Sequence, residues 1–142
     1  MIYRPYTIAD KNILERYVQS DPWHSTEHKE KALPFFLEPV TSLVEDEQGI
    51  IFFFKPVPES VCNKLVRVHT YWQFGPPEEV SKKRIAQTLG LFLNRITKLI
   101  HELGYKQVVF TSVNKKTIVY VEKYCEFIPS KDEEHVYIHE VI

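Results

Sequence analysis

The chain has 142 residues, of which 44% are hydrophobic and 13% aromatic, so it can bury a sizeable core and is neither disordered nor fibrous. Its length predicts one compact domain over residues 1–142. The 18 Lys and Arg residues against 19 Asp and Glu leave a formal charge of −1, which gives no overall positive field for nucleic acid or an anionic membrane.

The N-terminal pattern predicts a short strand followed by a helix. Met1–Tyr6 is typical of a strand. Thr7 and Asp10 resemble a capping box, in which the Thr hydroxyl is available to backbone N–H groups at the start of the helix. The apolar residues that follow recur at steps of one, three and four up to about Gln19, which predicts one buried stripe.

The next segment predicts a second, shorter helix and then a hairpin. This helix begins at Ser25 or Thr26 and ends by Pro34, because proline cannot continue the helical hydrogen-bond ladder. Residues 41–46 and 50–56 are β-prone and are joined through the turn sequence DEQG, which predicts two paired strands.

The strongest helical pattern lies between two further strands. Lys64–Phe74 alternates apolar and polar residues, which predicts a strand with one half-polar face. Lys83–Leu103 predicts a long helix that ends at Gly104, and Lys106–Val113 predicts the next strand. Strand, helix and strand form a βαβ unit, so we expect the two strands to be parallel. The apolar residues of the helix recur at steps of three and four: Ile85, Leu89, Phe92, Ile96, Leu99 and Leu103.

A helix and a hairpin are predicted for the C-terminal part. The helix follows Asn114 and ends near Tyr124, although several of its residues are β-branched and weak helix formers. Glu126–Ile128 and Glu134–Val141 are predicted as strands joined by the turn sequence PSKD.

The cysteines, glycines and hydropathy exclude several classes of protein. Cys62 and Cys125 are too few for a disulfide framework, which indicates a reducing compartment such as the cytoplasm. The N-terminus has no apolar segment typical of a secretory signal, and no apolar run approaches the roughly 20 residues of a membrane span. The four glycines cannot form the G-x-G-x-x-G or G-x-x-x-x-G-K-[ST] nucleotide motifs.

The order of these elements resembles the GNAT N-acetyltransferase family over essentially the whole chain. IYRPYTIADKNIL is similar to the family's N-terminal strand and first helix, and VEKYCEF is similar to its late helix and the Phe of the next strand. The resemblance implies an α+β, GNAT-like fold, in which a mixed central sheet of about six to seven strands is flanked by about four helices. It also implies acetyl-CoA or another acyl-CoA as co-substrate.

The resemblance locates the cofactor at the start of the long helix. There the family has a pyrophosphate loop of pattern [RQ]-x-x-G-x-[GA], whose backbone N–H groups and positive helix end hold acetyl-CoA. The pattern falls on SKKRIA at residues 81–86. Ala86 fits the last position, but Ser81 replaces Arg or Gln and Arg84 replaces the central Gly. An arginine either blocks the approach of phosphate to the backbone or supplies a charged contact instead.

Three consecutive cations, Lys82, Lys83 and Arg84, lie near this helix start, where the macrodipole disfavours positive charge. If Ser81 is the N-cap, they need a phosphate-bearing ligand such as CoA to neutralise them. If the helix instead begins in the sequence PPEE at 76–79, the two glutamates pair with the lysines four residues later, and the charges form a solvated face. We favour the second interpretation, because Pro-Pro-Glu-Glu is itself a good helix start.

The family's reaction implies candidates for catalysis. An amine attacks the thioester directly, which needs a base for the amine proton and a donor, often Tyr, for the leaving thiolate. In the family that Tyr lies five residues before the late Phe; here Glu122 occupies that position, and Tyr120 is the general-acid candidate, with a packed core tyrosine as the alternative. His69 is the general-base candidate, or else a hydrogen-bonded filler on the sheet. Asn114 matches the family's polar contact to the cofactor arm and equally suits a helix N-cap.

The histidine pairs do not predict a metal site. His24 and His28 have helical H-x-x-x-H spacing but no evident third ligand. His135 and His139 have the same spacing on a strand, where they lie too far apart to share an ion. We therefore expect no bound metal.

Two functions are consistent with this sequence. The first is transfer of an acyl group from acetyl-CoA, or another acyl-CoA, to a primary amine of a small molecule or peptide. The second is a catalytically inactive GNAT-like scaffold that binds a protein partner, as the altered pyrophosphate motif suggests. Neither has nucleic acid or a membrane as its partner.

Overall fold

The computed structural model describes residues 1–21, 26–37, 40–112, 114–134 and 136–140. Within them the chain forms seven strands, four α-helices and a short 3-10 turn at Ile8–Asp10. None of these helices combines the length and the hydropathy needed to span a bilayer. In chain order the elements are β1 (Ile2–Pro5), α1 (Lys11–Ser20), α2 (Thr26–Phe36), β2 (Ser42–Asp46), β3 (Gly49–Val61), β4 (Lys64–Phe74), α3 (Lys82–Glu102), β5 (Gln107–Thr111), α4 (Lys115–Tyr124), β6 (Ile128–Pro129) and β7 (Val136–Glu140).

The seven strands form one mixed sheet in the order β1-β2-β3-β4-β5-β7-β6. β4 and β5 are parallel, from Arg67 opposite Gln107 to Thr70 opposite Phe110, as the predicted βαβ unit requires. β2 is antiparallel to β1 and β3, and β7 is antiparallel to β5 and β6. The predicted α+β architecture, a mixed sheet with four helices, is confirmed.

Contacts within the chain define two compact units, each built from two stretches of sequence. The first comprises Met1–Lys55 and Trp72–Thr88, and the second comprises Pro56–Tyr71 and Leu89–Ile142. The expectation of one domain over residues 1–142 stays a prediction. The fully buried residues of the first unit include Leu14, Val18, Leu43, Phe52, Phe53 and Phe54, and those of the second include Val108, Phe110 and Val121.

A buried carboxylate organises the N-terminal part of the first unit. Asp10 is 5% exposed. Arg4 donates to the Asp10 carboxylate from Nη2 at 2.8 Å and from Nη1 at 2.9 Å, and Arg4 Nε donates to Glu45 at 2.8 Å. The Thr7 N–H also donates to Asp10, at 2.9 Å, and the predicted capping box is confirmed. The bond from Arg4 holds the pKa of Asp10 below its usual range.

Helix α2 continues beyond its predicted end. Pro34 lies inside the helix, which ends at Phe36, so the prediction that it stops by Pro34 is wrong. Proline removes one donor, but the Leu37 N–H donates to the Leu33 carbonyl at 3.0 Å and closes the last turn. Burial of Phe36 and Ala32 fixes this turn against the core.

Strand β3 continues past residue 56, its predicted end, to Val61. Pro56 and Pro58 argue against a strand because proline cannot donate to a ladder. However, the β2–β3 ladder ends at Phe54, so both prolines lie beyond it and leave no gap in that ladder. Residues 62–63, both with positive φ, form the turn into β4.

The C-terminal hairpin is shifted from its predicted position. Glu126 has a φ of 59° and lies outside the strands, whereas Pro129, predicted as a turn residue, pairs with Tyr137. β6 is an edge strand, where a proline is tolerated because one side of the backbone has no partner strand. β7 begins at Val136, after the predicted Glu134. Outside the described residues lie three predicted ends of elements: Ser25, Val113 and Val141.

Helix α3, Lys82–Glu102, begins and ends within one residue of its prediction. Leu89 and Ile100 are buried, whereas Leu99 and Leu103 are 49% and 59% exposed. A repeat of 3.5 residues drifts around a helix of 3.6 residues per turn by about 20° per heptad. The apolar stripe read from the sequence therefore leaves the core towards the end of the helix.

Gly75 sets the sharp turn between β4 and α3. Its N–H donates to the Ile51 carbonyl at 3.0 Å. A Cβ on Gly75 would lie 2.3 Å from Val80 Cγ2 and 3.1 Å from the Tyr17 ring, and both neighbours are buried. Glycine is thus the residue that lets the chain turn here without moving its neighbours.

We expect Asp10→Asn to lower the free energy of unfolding at pH 7 by about 2 kcal/mol, because a charge-assisted hydrogen bond contributes about 1.5–3 kcal/mol. The folded-state pKa of Asp10 is lowered, so its contribution is present above the unfolded value near 3.9 and is lost as the pH falls further. The difference between the urea titrations of the two proteins should therefore narrow as the pH falls from 7 to 3. Glu47→Gln, at an exposed turn residue, is the control and should match wild type. A gap that is the same at pH 7 and pH 3 contradicts this account.

We expect Gly75→Ala to destabilise the protein by about 1–3 kcal/mol, the usual result of overpacking a filled core. Because the closest atom is Val80 Cγ2, the same substitution should cost less in a Val80→Ala background. Urea unfolding of the two single variants and the double variant measures this coupling. Strict additivity would show that the clash with Val80 is not the cause.

Candidate functional site

The segment between β4 and α3 forms a turn, and the helix begins at Lys82. Both Glu79 and Val80 donate their N–H to the Pro76 carbonyl, at 3.0 and 2.9 Å, which closes a turn that does not continue as a helix. Ser81 caps α3: its Oγ accepts from the Arg84 N–H at 3.2 Å. The favoured interpretation, a helix that starts within PPEE, is therefore wrong.

Glu79 of the PPEE sequence pairs with a residue of α1. Arg16 on α1 donates to Glu79 from Nε at 2.8 Å, and its Nη2 donates to the other carboxylate oxygen. The Glu79–Lys83 pair that a longer helix needs is replaced by this bidentate pair with α1. Lys82 and Lys83 are both exposed in the first turn of α3.

Arg84 faces an acidic residue of the β2–β3 hairpin. Its Nε donates to Asp46 Oδ2 at 3.0 Å, and its Nη2 donates to Oδ1 of the same carboxylate. This bond holds the pKa of Asp46 below its usual range, so Asp46 stays ionised. Arg84 is thus bound to a carboxylate within the first unit. Ala86, half-buried, follows in the next turn of the helix.

His69 belongs to a charged cluster in the second unit. Its Nε2 lies 2.6 Å from Glu59 Oε2, and Arg67 Nε lies 3.6 Å from the same oxygen. His69 is half-buried on β4 and lies opposite Val109, in the third of the four residue pairs of the β4–β5 ladder. The structure therefore gives this histidine a carboxylate partner.

Asn114 and Tyr120 lie on α4 in the same unit. Asn114 is the N-cap: its Oδ1 accepts from the N–H groups of Lys116 and Thr117 at 3.1 and 3.3 Å. Burial raises the pKa of Tyr120, which keeps its phenol protonated at neutral pH. A Cβ on Gly90 of α3 would lie 2.7 Å from the Tyr120 hydroxyl, so this mid-helix glycine leaves room for the phenol.

Three contacts of these candidates were missed by the sequence prediction. They involve Asp46, Glu59 and Gly90. A glycine inside an amphipathic helix costs about 1 kcal/mol relative to alanine, so Gly90 was a usable signal for a close approach. Asp46 and Glu59 give no such signal, because a carboxylate in a turn or on a strand is ordinary.

The described residues contain no group of three His, Cys, Asp or Glu side chains that could hold a metal ion. His24 and His135, named in the two histidine pairs, lie outside the part of the chain that the structure describes.

No family model matches this sequence, and no curated protein matches it. Solved structures share its fold. An acetyltransferase of the GNAT family from Streptococcus pneumoniae has a TM-score of 0.62 at 12% identity, covering 99% of both chains. An aminoglycoside N(6')-acetyltransferase from Legionella pneumophila has a TM-score of 0.65 at 11% identity, covering 99% of this chain and 90% of that one.

A GNAT family N-acetyltransferase from Escherichia coli, solved in complex with CoA, has a TM-score of 0.62 at 12% identity, covering 98% of this chain and 80% of that one. Identities this low establish the architecture and leave the chemistry to be argued from the residues. The chain has the fold of the GNAT acetyltransferases, as its order of elements predicted.

Proposed function

We propose that this protein transfers an acyl group from acetyl-CoA, or another acyl-CoA, to a primary amine of a small molecule or peptide. The observation that carries the proposal is the start of α3 at Lys82, with Ser81 as N-cap, in a chain of GNAT fold. A helix that starts there directs its positive end and two lysines towards an anion. The pyrophosphate of CoA is the anion that the resemblance implies at this position.

The bond between Arg84 and Asp46 supports this proposal. Because the guanidinium is bound by the Asp46 carboxylate, the proposal does not depend on Arg84 to neutralise the pyrophosphate. Lys82 and Lys83 have that role in the proposal, together with the backbone N–H groups of the first turn. Ala86 keeps the next turn free of a bulky side chain.

In the proposed reaction the amine nitrogen forms a bond to the thioester carbonyl carbon, and the carbon–sulfur bond breaks with its electron pair on sulfur. His69 accepts the proton lost by the amine. Tyr120 donates a proton to the leaving thiolate, a role that its raised pKa permits because the phenol stays protonated. Asn114 serves α4 as its cap, and a contact to the cofactor arm is an additional proposed role. The free thiols of Cys62 and Cys125 support a reducing compartment, and we propose the cytoplasm.

We expect acetyl-CoA to bind wild type with micromolar affinity and the Lys82→Glu/Lys83→Glu variant at least about tenfold more weakly, because one charge-assisted contact is worth about 1.5–3 kcal/mol. Isothermal calorimetry measures both. Glutamate is favourable at a helix start, so the variant should keep its helix. Lys98→Glu reverses an exposed charge late in α3 and is the matched control. Failure of wild type to bind millimolar acetyl-CoA overturns the proposal and redirects the search to a scaffold with a protein partner.

We expect Arg84→Gly, which restores the family's central glycine, to tighten acetyl-CoA binding because it removes a Cβ between backbone and phosphate. The same change lowers stability by about 1 kcal/mol through helix propensity, in addition to the loss of the Asp46 bond. Calorimetry and thermal unfolding separate the two effects. Arg84→Ala loses the ion pair but keeps the Cβ, and it should not tighten binding. Weaker binding by Arg84→Gly would show that the arginine itself holds the cofactor.

A further inference from the structure

The charged cluster on β3 and β4 contains four groups. Glu59 Oε2 lies 2.6 Å from His69 Nε2 and 3.6 Å from Arg67 Nε, and Arg67 Nη1 lies 3.9 Å from Glu133 Oε1. Glu59 and Glu133 are 41% and 55% exposed, whereas His69 and Arg67 are 23% and 26% exposed. His69 and Arg67 are thus more enclosed than the carboxylates that face them.

Glu59 is ionised in this cluster. The hydrogen bond from His69, together with the nearby charge of Arg67, holds the pKa of Glu59 below its usual range. An ionised carboxylate can only accept hydrogen bonds. The short contact with His69 therefore requires a hydrogen on Nε2 of the imidazole.

A neutral imidazole carries one hydrogen, so the other ring nitrogen has the lone pair. We propose that Glu59 is a positioning residue that holds neutral His69 with its hydrogen on Nε2, which makes Nδ1 the atom that takes a proton. The catalytic consequence rests on the proposed acyl transfer; the assignment of the ring hydrogen does not.

In the proposed step the proton moves from the substrate amine to His69. The lone pair of Nδ1 forms an N–H bond as the amine loses its proton, and the ring becomes an imidazolium with hydrogen on both nitrogens. Glu59 stabilises that positive charge through the bond it already makes to Nε2. The same carboxylate oxygen lies 3.6 Å from Arg67 Nε, so Glu59 faces both side chains.

The ring hydrogen can be located by long-range proton–nitrogen NMR of the full chain near pH 8, where a free imidazole is neutral. The His69 signals are those lost in His69→Gln. We expect hydrogen on Nε2 in wild type and a mixture of both ring forms in Glu59→Ala, which has no acceptor at this position. Glu133→Ala removes the other carboxylate of the cluster and is the matched control, expected to match wild type. Hydrogen on Nδ1 in wild type, or an unchanged ring in Glu59→Ala, overturns the proposal.

Kinetic measurements test whether Glu59 affects turnover through His69. His69→Ala should lower turnover about 10²–10⁴-fold, the range of general-base catalysis. Glu59→Ala should lower it in wild type but have no further effect in His69→Ala, whereas a merely structural role for Glu59 would lower it in both. If wild type transfers no acyl group while the ring hydrogen lies on Nε2, the proposed function fails and the assignment of Glu59 stands.

Discussion

The absent side chain of Gly75 is the constraint on which the candidate cofactor site depends. It allows the turn after β4 to pack against Tyr17 and Val80, while its N–H donates to β3. With the turn held there, α3 begins at Lys82 and Ser81 becomes its cap. A larger residue would displace this turn, and with it the helix end that the proposal assigns to the cofactor.

Two long-range ion pairs lie near that helix end. Arg16 binds Glu79, 63 residues away. Asp46 binds Arg84, 38 residues away. These pairs hold the acidic residue before the helix and the third cation within the first unit, next to the two lysines that the proposal assigns to the cofactor.

The sequence was sufficient to predict those features of the structure that depend on local patterns. The period of α3, the Asn114 cap and the βαβ unit were all predicted, because helix periodicity and capping depend on neighbouring residues. Prediction failed where the outcome depends on partners far along the chain. Pro56 and Pro58 lie in β3 beyond the end of its ladder with β2, which the local sequence does not show. The PPEE sequence was locally a good helix start, but α3 begins at Lys82 and Glu79 pairs with α1.

A helix start with two lysines is costly unless something binds there. Each cation near the positive end of a helix costs about 0.3–1 kcal/mol, and a carboxylate in the same place would stabilise it by a similar amount. An anion bound at this helix end would offset that cost, and the proposed cofactor supplies one. Gly90 likewise weakens α3 but leaves room for the Tyr120 hydroxyl. Both unfavourable features thus lie at or beside residues that the proposal assigns to acyl transfer, and they support it.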